Sequence, residues 1–278
     1  MSGAAGSVAL VGAGPGDPNL LTVKARRRLD EADVILHDAL VTPELLGTCP
    51  DSAEIVDVGK RPNSNGGRLT QAEINRLLVR ATRGGRDVVR LKGGDPYVFG
   101  RGGEEAEFLA AAGVDVEVVP GLTSAVTAPA VAGIPVTHRD HASCLTVVTG
   151  HEDPTKAESA LDWAALADTV AAGGTLVVLM GVGRLPETVA TLRDHEVAAD
   201  TPVAMVEKAT WDAEYTLTGT LSTIVERAVD VGIEPPAVTV VGDVVDVRER
   251  VIDASQSVPA RECADGTAGR LRSDGGSR

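Results

Sequence analysis

The chain has 278 residues, 43% of them hydrophobic, which suits one large or two medium α/β domains with a sizeable core. It carries 40 acidic and 26 basic residues, a net charge of −14, and this argues against nucleic acid, a partner that demands basic patches. No apolar run reaches the ~18 residues of a membrane span, Met1-Ser-Gly-Ala-Ala-Gly-Ser7 does not read as a signal peptide, and the scattered Cys49, Cys144 and Cys263 speak for a reducing cytoplasm and against a disulfide framework or zinc site.

Apolar runs at 8–12, 33–37, 53–58, 87–91 and 114–119 read as strands, with helical patterns at 20–29, 70–82 and 103–112 between them. Thr70-Gln-Ala-Glu73 has the form of a capping box. Alternating strand and helix predicts a largely parallel sheet covered by helices. The rhythm changes at Val119-Pro-Gly-Leu-Thr-Ser124, and a second set of strands follows at 145–149, 175–180, 202–206, 214–218 and 237–241. Helical stretches at 159–171, 185–195 and 221–231 separate most of these. The expected organisation is an N-terminal α/β domain over 1–120, a C-terminal α/β domain over 121–250, and a tail over 251–278 whose small, polar composition predicts disorder.

Several loops carry chemistry. Val11-Gly-Ala-Gly-Pro-Gly-Asp17 follows the first strand, but its glycines make G-x-G-x-G, and Pro15 has no amide to give a phosphate. It reads as a strand-to-helix turn that also touches a ligand. His37-Asp38 ends the second strand. An acid there suits a general base or a ribose ligand, and a helix cap equally well on local sequence alone. Gly59-Lys60-Arg61 follows the third strand. Taken alone it is better read as a solvated turn, although paired cations also suit an anionic substrate.

The most informative stretch is Arg90-Leu-Lys-Gly-Gly-Asp-Pro-Tyr-Val-Phe-Gly-Arg-Gly-Gly-Glu104. A buried strand enters a glycine-rich loop at the edge where α/β folds bind ligands, and glycine lets the backbone approach one closely. Tyr97 and Phe99 are two of only six aromatics in the chain. Further on lie Thr137-His-Arg-Asp140 and His151-Glu152; His138 is open to catalytic, structural or solvated readings. No His, Cys and acid grouping has metal spacing, and no G-x-S-x-G elbow is present. The loops at Gly14, Asp38, Lys60 and Gly94 follow strands of one parallel sheet and gather at one edge. Lys60, Arg61, Lys92, Arg101 and Arg139 are expected to form a positive cleft for an anionic ligand.

These segments, together with Gly133-Ile-Pro-Val-Thr-His-Arg139, Val148-Thr-Gly-His-Glu152, Leu179-Met-Gly181 and Pro235-Pro-Ala237, closely resemble the tetrapyrrole methylase family, from about Val8 to Arg248. The resemblance implies two α/β domains, each a mixed sheet flanked by helices, with the active site in the interdomain cleft. It implies a homodimer that uses S-adenosylmethionine, without metal, to methylate uroporphyrinogen III twice. The product, precorrin-2, would lead to sirohaem or cobalamin. By motif match, Pro15, Gly93, Gly94, Asp95, Val98, Thr123, Ser124, Met180, Ala209 and Ala237 would line the methyl-donor site. Asp38 stands where the family has its proton acceptor and Lys60 where it has its proton donor. Arg61, Arg101, His138 and Arg139 would face the anionic tetrapyrrole.

Two departures fall on the substrate side. His37-Asp38-Ala39 replaces the usual Tyr-Asp-Arg, and the loop 62–69 is longer than usual and lacks the usual histidine. Competing readings are a methylase of a later precorrin and a non-catalytic binder. Only Lys24, Lys60, Lys92, Lys156 and Lys208 supply lysine, and aromatics are 2% of the chain. An acidic surface poor in lysine fits a protein adapted to high salt, where screening removes self-repulsion.

Overall fold

A computed structural model describes residues 6–59, 69–152, 154 and 159–257, with the side chains of 253–257 excepted. The first sheet comprises β1 (Ser7–Gly12), β2 (Val34–His37), β3 (Glu54–Asp57), β4 (Val88–Lys92) and β5 (Asp115–Val119), in the order β3-β2-β4-β1-β5. All four pairings are parallel. The central strands are therefore covered on both faces and read as continuous apolar runs. On one face, α1 (Val23–Asp30) and α2 (Pro43–Leu46) place Leu29 and Leu45 against Ile35 and Leu91. On the other, α3 (Gln71–Ala81) and α4 (Gly102–Ala111) place Leu78 and Leu109 against Leu10 and Leu36. The capping box at α3 is formed: Glu73 N donates to Thr70 Oγ1 at 3.3 Å and Thr70 N to Glu73 Oε2 at 2.7 Å. The Thr70 amide and the Thr70 hydroxyl, which also donates to Glu73 Oε2 at 2.8 Å, favour the ionised form and lower the pKa of the Glu73 carboxyl.

The second sheet comprises β6 (Leu145–Thr149), β7 (Thr175–Leu179), β8 (Pro202–Glu207), β9 (Tyr215–Thr220) and β10 (Ala237–Val241), in the order β6-β7-β10-β8-β9. Only β6 and β7 run parallel. One face is packed by α6 (Trp163–Ala171), α7 (Leu185–Asp194) and α8 (Ile224–Val231) around Trp163, Leu192 and Ile224. The other is packed by α5 (Ser124–Val131) and α9 (Val245–Ser257) around Ala125, Ala128 and Val244.

Helix α9 corrects the reading of a tail from 251. Its first turn buries Val245 and Val247 against the second domain, and that anchor carries the helix to Ser257. The remainder of the expected tail, from 258, lies outside the described residues. No helix among the described residues is long and apolar enough to cross a membrane.

Candidate active site

The loops that follow β1 and β4 are tied together by backbone. Gly14 N donates to Gly94 O at 3.1 Å and Gly94 N to Gly14 O at 2.7 Å. Gly94 has φ 68°, a left-handed conformation that glycine adopts without the steric cost of a Cβ. Behind it, a Cβ on Gly121 would collide with the Gly94 carbonyl and the backbone of Gly12. Three glycines thus let three backbone segments stack where the first domain hands over to the second.

Asp38, directly after β2, lies beside this bridge. Its Oδ2 accepts from Gly93 N at 3.1 Å and its Oδ1 from Leu40 N at 3.0 Å. It does not cap α2: that role belongs to Thr42, whose Oγ1 accepts from Leu45 N at 3.3 Å. The carboxylate is half-buried, oriented by two backbone amides at the mouth of the glycine loop.

The loop after β4 is strained. Phe99 and Arg101 have φ 53° and 59°. Such conformations cost energy in non-glycine residues and cluster at ligand clamps. Val98 packs against the core of the second domain, so the loop spans both domains. Tyr97 and Phe99 stay exposed, at 57% and 44%. The Asp95 carboxylate has a task the sequence did not disclose. Its Oδ1 accepts from Tyr97 N at 2.8 Å and its Oδ2 from Gly121 N at 3.0 Å, which ties the loop to the interdomain turn.

The second domain supplies the opposite wall. In the sheet, β10 lies between β7 and β8, with Val238 opposite Leu179 and Ala237 opposite Glu207. The segments just beyond those pairs therefore share one end: Met180, the loop at 208–210, and Pro236-Ala237. Lys208 N donates to Pro236 O at 2.8 Å. Met180 is 52% exposed with φ 57°, and Lys208 and Thr210, at φ 47° and 70°, bracket the buried Ala209. Thr123 and Ser124 form the N-terminus of α5, where Thr123 Oγ1 accepts from Ala125 N at 3.3 Å. This end faces the first domain directly: Trp211 Nε1 donates to Pro15 O at 2.9 Å and Asp17 N to Thr210 Oγ1 at 3.2 Å.

The expected positive cleft is not assembled among the described residues. Lys92 and Arg90 point inward, 3% exposed each, and share the fully buried Glu105 at 3.1 and 3.2 Å. Gln71 Nε2 donates to the same carboxylate at 3.1 Å. Burial, with the Arg90 cation beside it, holds the pKa of Lys92 below that of a free lysine. Arg101 is drawn into a two-point pair with Glu104, at 2.9 and 2.6 Å. His138 and Arg139 sit at the far end of the second sheet. Arg139 lines a cavity of about 390 Å³ with Gly173 and Gly174, just before β7, whereas Met180 follows β7. The physical reason is α5, whose eight residues carry the chain ~12 Å away from the cleft before β6 begins. Lys60 and Arg61 lie outside the described residues. The sequence reading missed Glu105, Gly121 and Trp211. The one available signal for Glu105 was the pair of cations, Arg90 and Lys92, on an otherwise apolar strand.

Comparison with known proteins agrees with this geometry. Residues 7–225 match the family model of the tetrapyrrole (corrin/porphyrin) methylases. The chain is 54% identical over 249 residues to the S-adenosyl-L-methionine-dependent uroporphyrinogen III methyltransferase of Methanosarcina barkeri, covering 90% of this chain and 96% of that protein. It resembles the crystal structure of uroporphyrin-III C-methyl transferase from Thermus thermophilus complexed with S-adenyl homocysteine, with TM-score 0.73 and 43% identity, over 87% of this chain and all (100%) of that one. A cobalt precorrin-4 methyltransferase shares the fold at TM-score 0.76, but only 29% identity, over 86% of this chain and 96% of that one.

Proposed function

The chain belongs to the tetrapyrrole methylase family, and on that premise we propose that it transfers two methyl groups from S-adenosylmethionine to ring carbons of uroporphyrinogen III, forming precorrin-2. The observation that carries the substrate assignment is the contrast in identity. Among solved structures of equally similar fold, it is 43% with a uroporphyrin-III C-methyl transferase and 29% with a cobalt precorrin-4 methyltransferase.

The cleft suits the donor. Gly93 and Gly94 offer bare backbone on one side, and the small Ala209 and Ala237 and the exposed thioether of Met180 face it from the other. Pro15, Val98, Thr123 and Ser124 complete the enclosure we assign to it. When bound, the sulfonium supplies an electrophilic methyl group. The attacking atom is an electron-rich pyrrole carbon, so the protein has no need of an activated serine or cysteine. Its task is to place the two partners in line and exclude water between them. We assign Asp95 to this site as the residue that shapes the loop.

Asp38 is assigned as proton acceptor. Two backbone amides fix its carboxylate beside Gly93, which holds both oxygens in a defined orientation at the mouth of the cleft. Lys60 is assigned as proton donor, and Arg61, Arg101, His138 and Arg139 to the tetrapyrrole carboxylates, on the family pattern. Arg101 reaches the substrate only by exchanging its Glu104 pair, and His138 and Arg139 only if the ligand or a second subunit extends to their end of the sheet. The enzyme is further proposed to be a homodimer of the cytoplasm, free of metal and adapted to high salt. The net charge of −14 and the five lysines support the last point.

The test is methyl transfer under anaerobic conditions at high salt. Label from S-adenosylmethionine should enter uroporphyrinogen III. Consumption of an already methylated corrinoid alone would assign the chain to a later step.

A further inference from the structure

The loop from Lys208 to Glu214 is held in an unusual form. Two non-glycine residues, Lys208 and Thr210, take left-handed backbone conformations within three positions. Four bonds fix it: Lys208 N to Pro236 O at 2.8 Å, Trp211 N to Lys208 O at 2.9 Å, Thr210 N to Glu214 Oε2 at 2.7 Å and Glu214 N to Trp211 O at 2.9 Å. The result projects the half-buried Trp211 across the domain boundary, where its indole N–H meets Pro15 O.

The indole lies on Gly16. A Cβ at that glycine, whose φ is 145°, would fall against Nε1 and Cδ1 of Trp211 and come within 3.0 Å of Thr42 Cγ2. From the other side Thr42 Oγ1 donates to Gly16 O at 2.9 Å. Thr42 closes the same short loop that Asp38 opens. A continuous stack thus runs from Ala209 in the second domain, through Trp211 and Gly16, to the loop of the proposed base in the first.

We propose that Trp211 is a positioning residue: it clasps the second domain to the Pro15-Gly16 turn, and so sets the spacing between the methyl-donor wall and the Asp38 loop. This rests on the reading of the cleft as an S-adenosylmethionine site. Strain in the 208–210 backbone is tolerated where the surrounding structure over-determines it, and the clasp is what does so here. Gly16 is required because only a bare backbone admits an indole at this distance.

The experiment measures S-adenosylhomocysteine binding by calorimetry and the kinetic constants for S-adenosylmethionine in the wild type, Trp211→Ala, Trp211→Phe and Gly16→Ala, with circular dichroism to establish folding. Trp211→Ala should weaken binding at least tenfold. Trp211→Phe, which keeps the ring and loses the N–H, should recover most of that, leaving a loss of about threefold. Gly16→Ala, which obstructs the same contact from the first domain, should behave as Trp211→Ala does. Trp163, the second tryptophan, is buried in the distant core. Ligand should therefore change the emission of the wild type and leave that of Trp211→Phe unaltered. If Trp211→Ala fails to fold, Trp211→Phe and Gly16→Ala decide. Folded variants that bind like the wild type, or ligand-insensitive wild-type emission, overturn the clasp alone. A wild type that does not bind S-adenosylhomocysteine overturns the reading of the cleft as well.

Discussion

Asp38 Oδ2 accepts the amide hydrogen of Gly93 at 3.1 Å, so the acid that ends β2 and the glycine that follows β4 form one unit. The proposed proton acceptor is thereby attached to the loop proposed to hold the methyl donor. Any shift of one moves the other.

Replacing Asp38 by Asn separates chemistry from scaffolding. The amide keeps the shape but accepts through one oxygen only, so either the Gly93 or the Leu40 bond is lost. Turnover should fall by roughly 10²–10⁴, the value of a positioned base. S-adenosylhomocysteine affinity should fall by no more than about tenfold, the value of one ordinary hydrogen bond. Steady-state kinetics and calorimetry together check this; near-normal turnover would assign proton removal to water.

Asp95 predicts a different pattern. Both its oxygens hold backbone amides, one of them across the interdomain turn. Asp95→Ala should weaken S-adenosylhomocysteine binding at least about tenfold and also cost about 2 kcal/mol of stability, one increment per lost bond. Thermal melting reads the second effect. A binding loss with an unchanged melting temperature would mean that the carboxylate touches the ligand directly.

The parts legible in the sequence were those governed by local pattern. The apolar runs of β1, β2 and β4, the capping box at Thr70 and the glycine-rich turns at Gly14 and Gly94 all follow from short-range rules. What escaped was set by contacts distant in sequence. Lys92 reads as a cation beside a ligand loop until Glu105, thirteen positions on, is seen to take it inward. His138 reads as a neighbour of the glycine-rich loops until α5 is seen to carry it to the other end of the second sheet. Nothing near Trp211 marks it as a neighbour of Gly16.

Lys92 also makes a pH prediction. Its pKa in the folded protein lies below the ordinary 10.5. Between those two values the unfolded chain holds a proton the folded one has released, so this group makes stability rise with pH. Its penalty is fully present below the folded pKa and is relieved as pH climbs toward 10.5. Lys92→Met removes the effect. Urea unfolding over the alkaline range should show the stability of the Met variant, relative to wild type, declining as pH increases. A pH-independent difference would contradict the burial argument.

The charge balance predicts a response to salt. With 40 acids against 26 bases, self-repulsion should be strong in dilute buffer and screened within ~3 Å at 1 M. The melting temperature should rise steadily with potassium chloride from 0.1 M upward. A flat or falling curve would remove the support for adaptation to high salt.

The most direct test of the central claim is the mass and absorption spectrum of the product formed anaerobically from uroporphyrinogen III and S-adenosylmethionine. The account predicts a tetrapyrrole carrying two added methyl groups, with an absorption spectrum different from that of uroporphyrinogen III. Unchanged uroporphyrinogen III, in the presence of enzyme that binds S-adenosylhomocysteine, would contradict it.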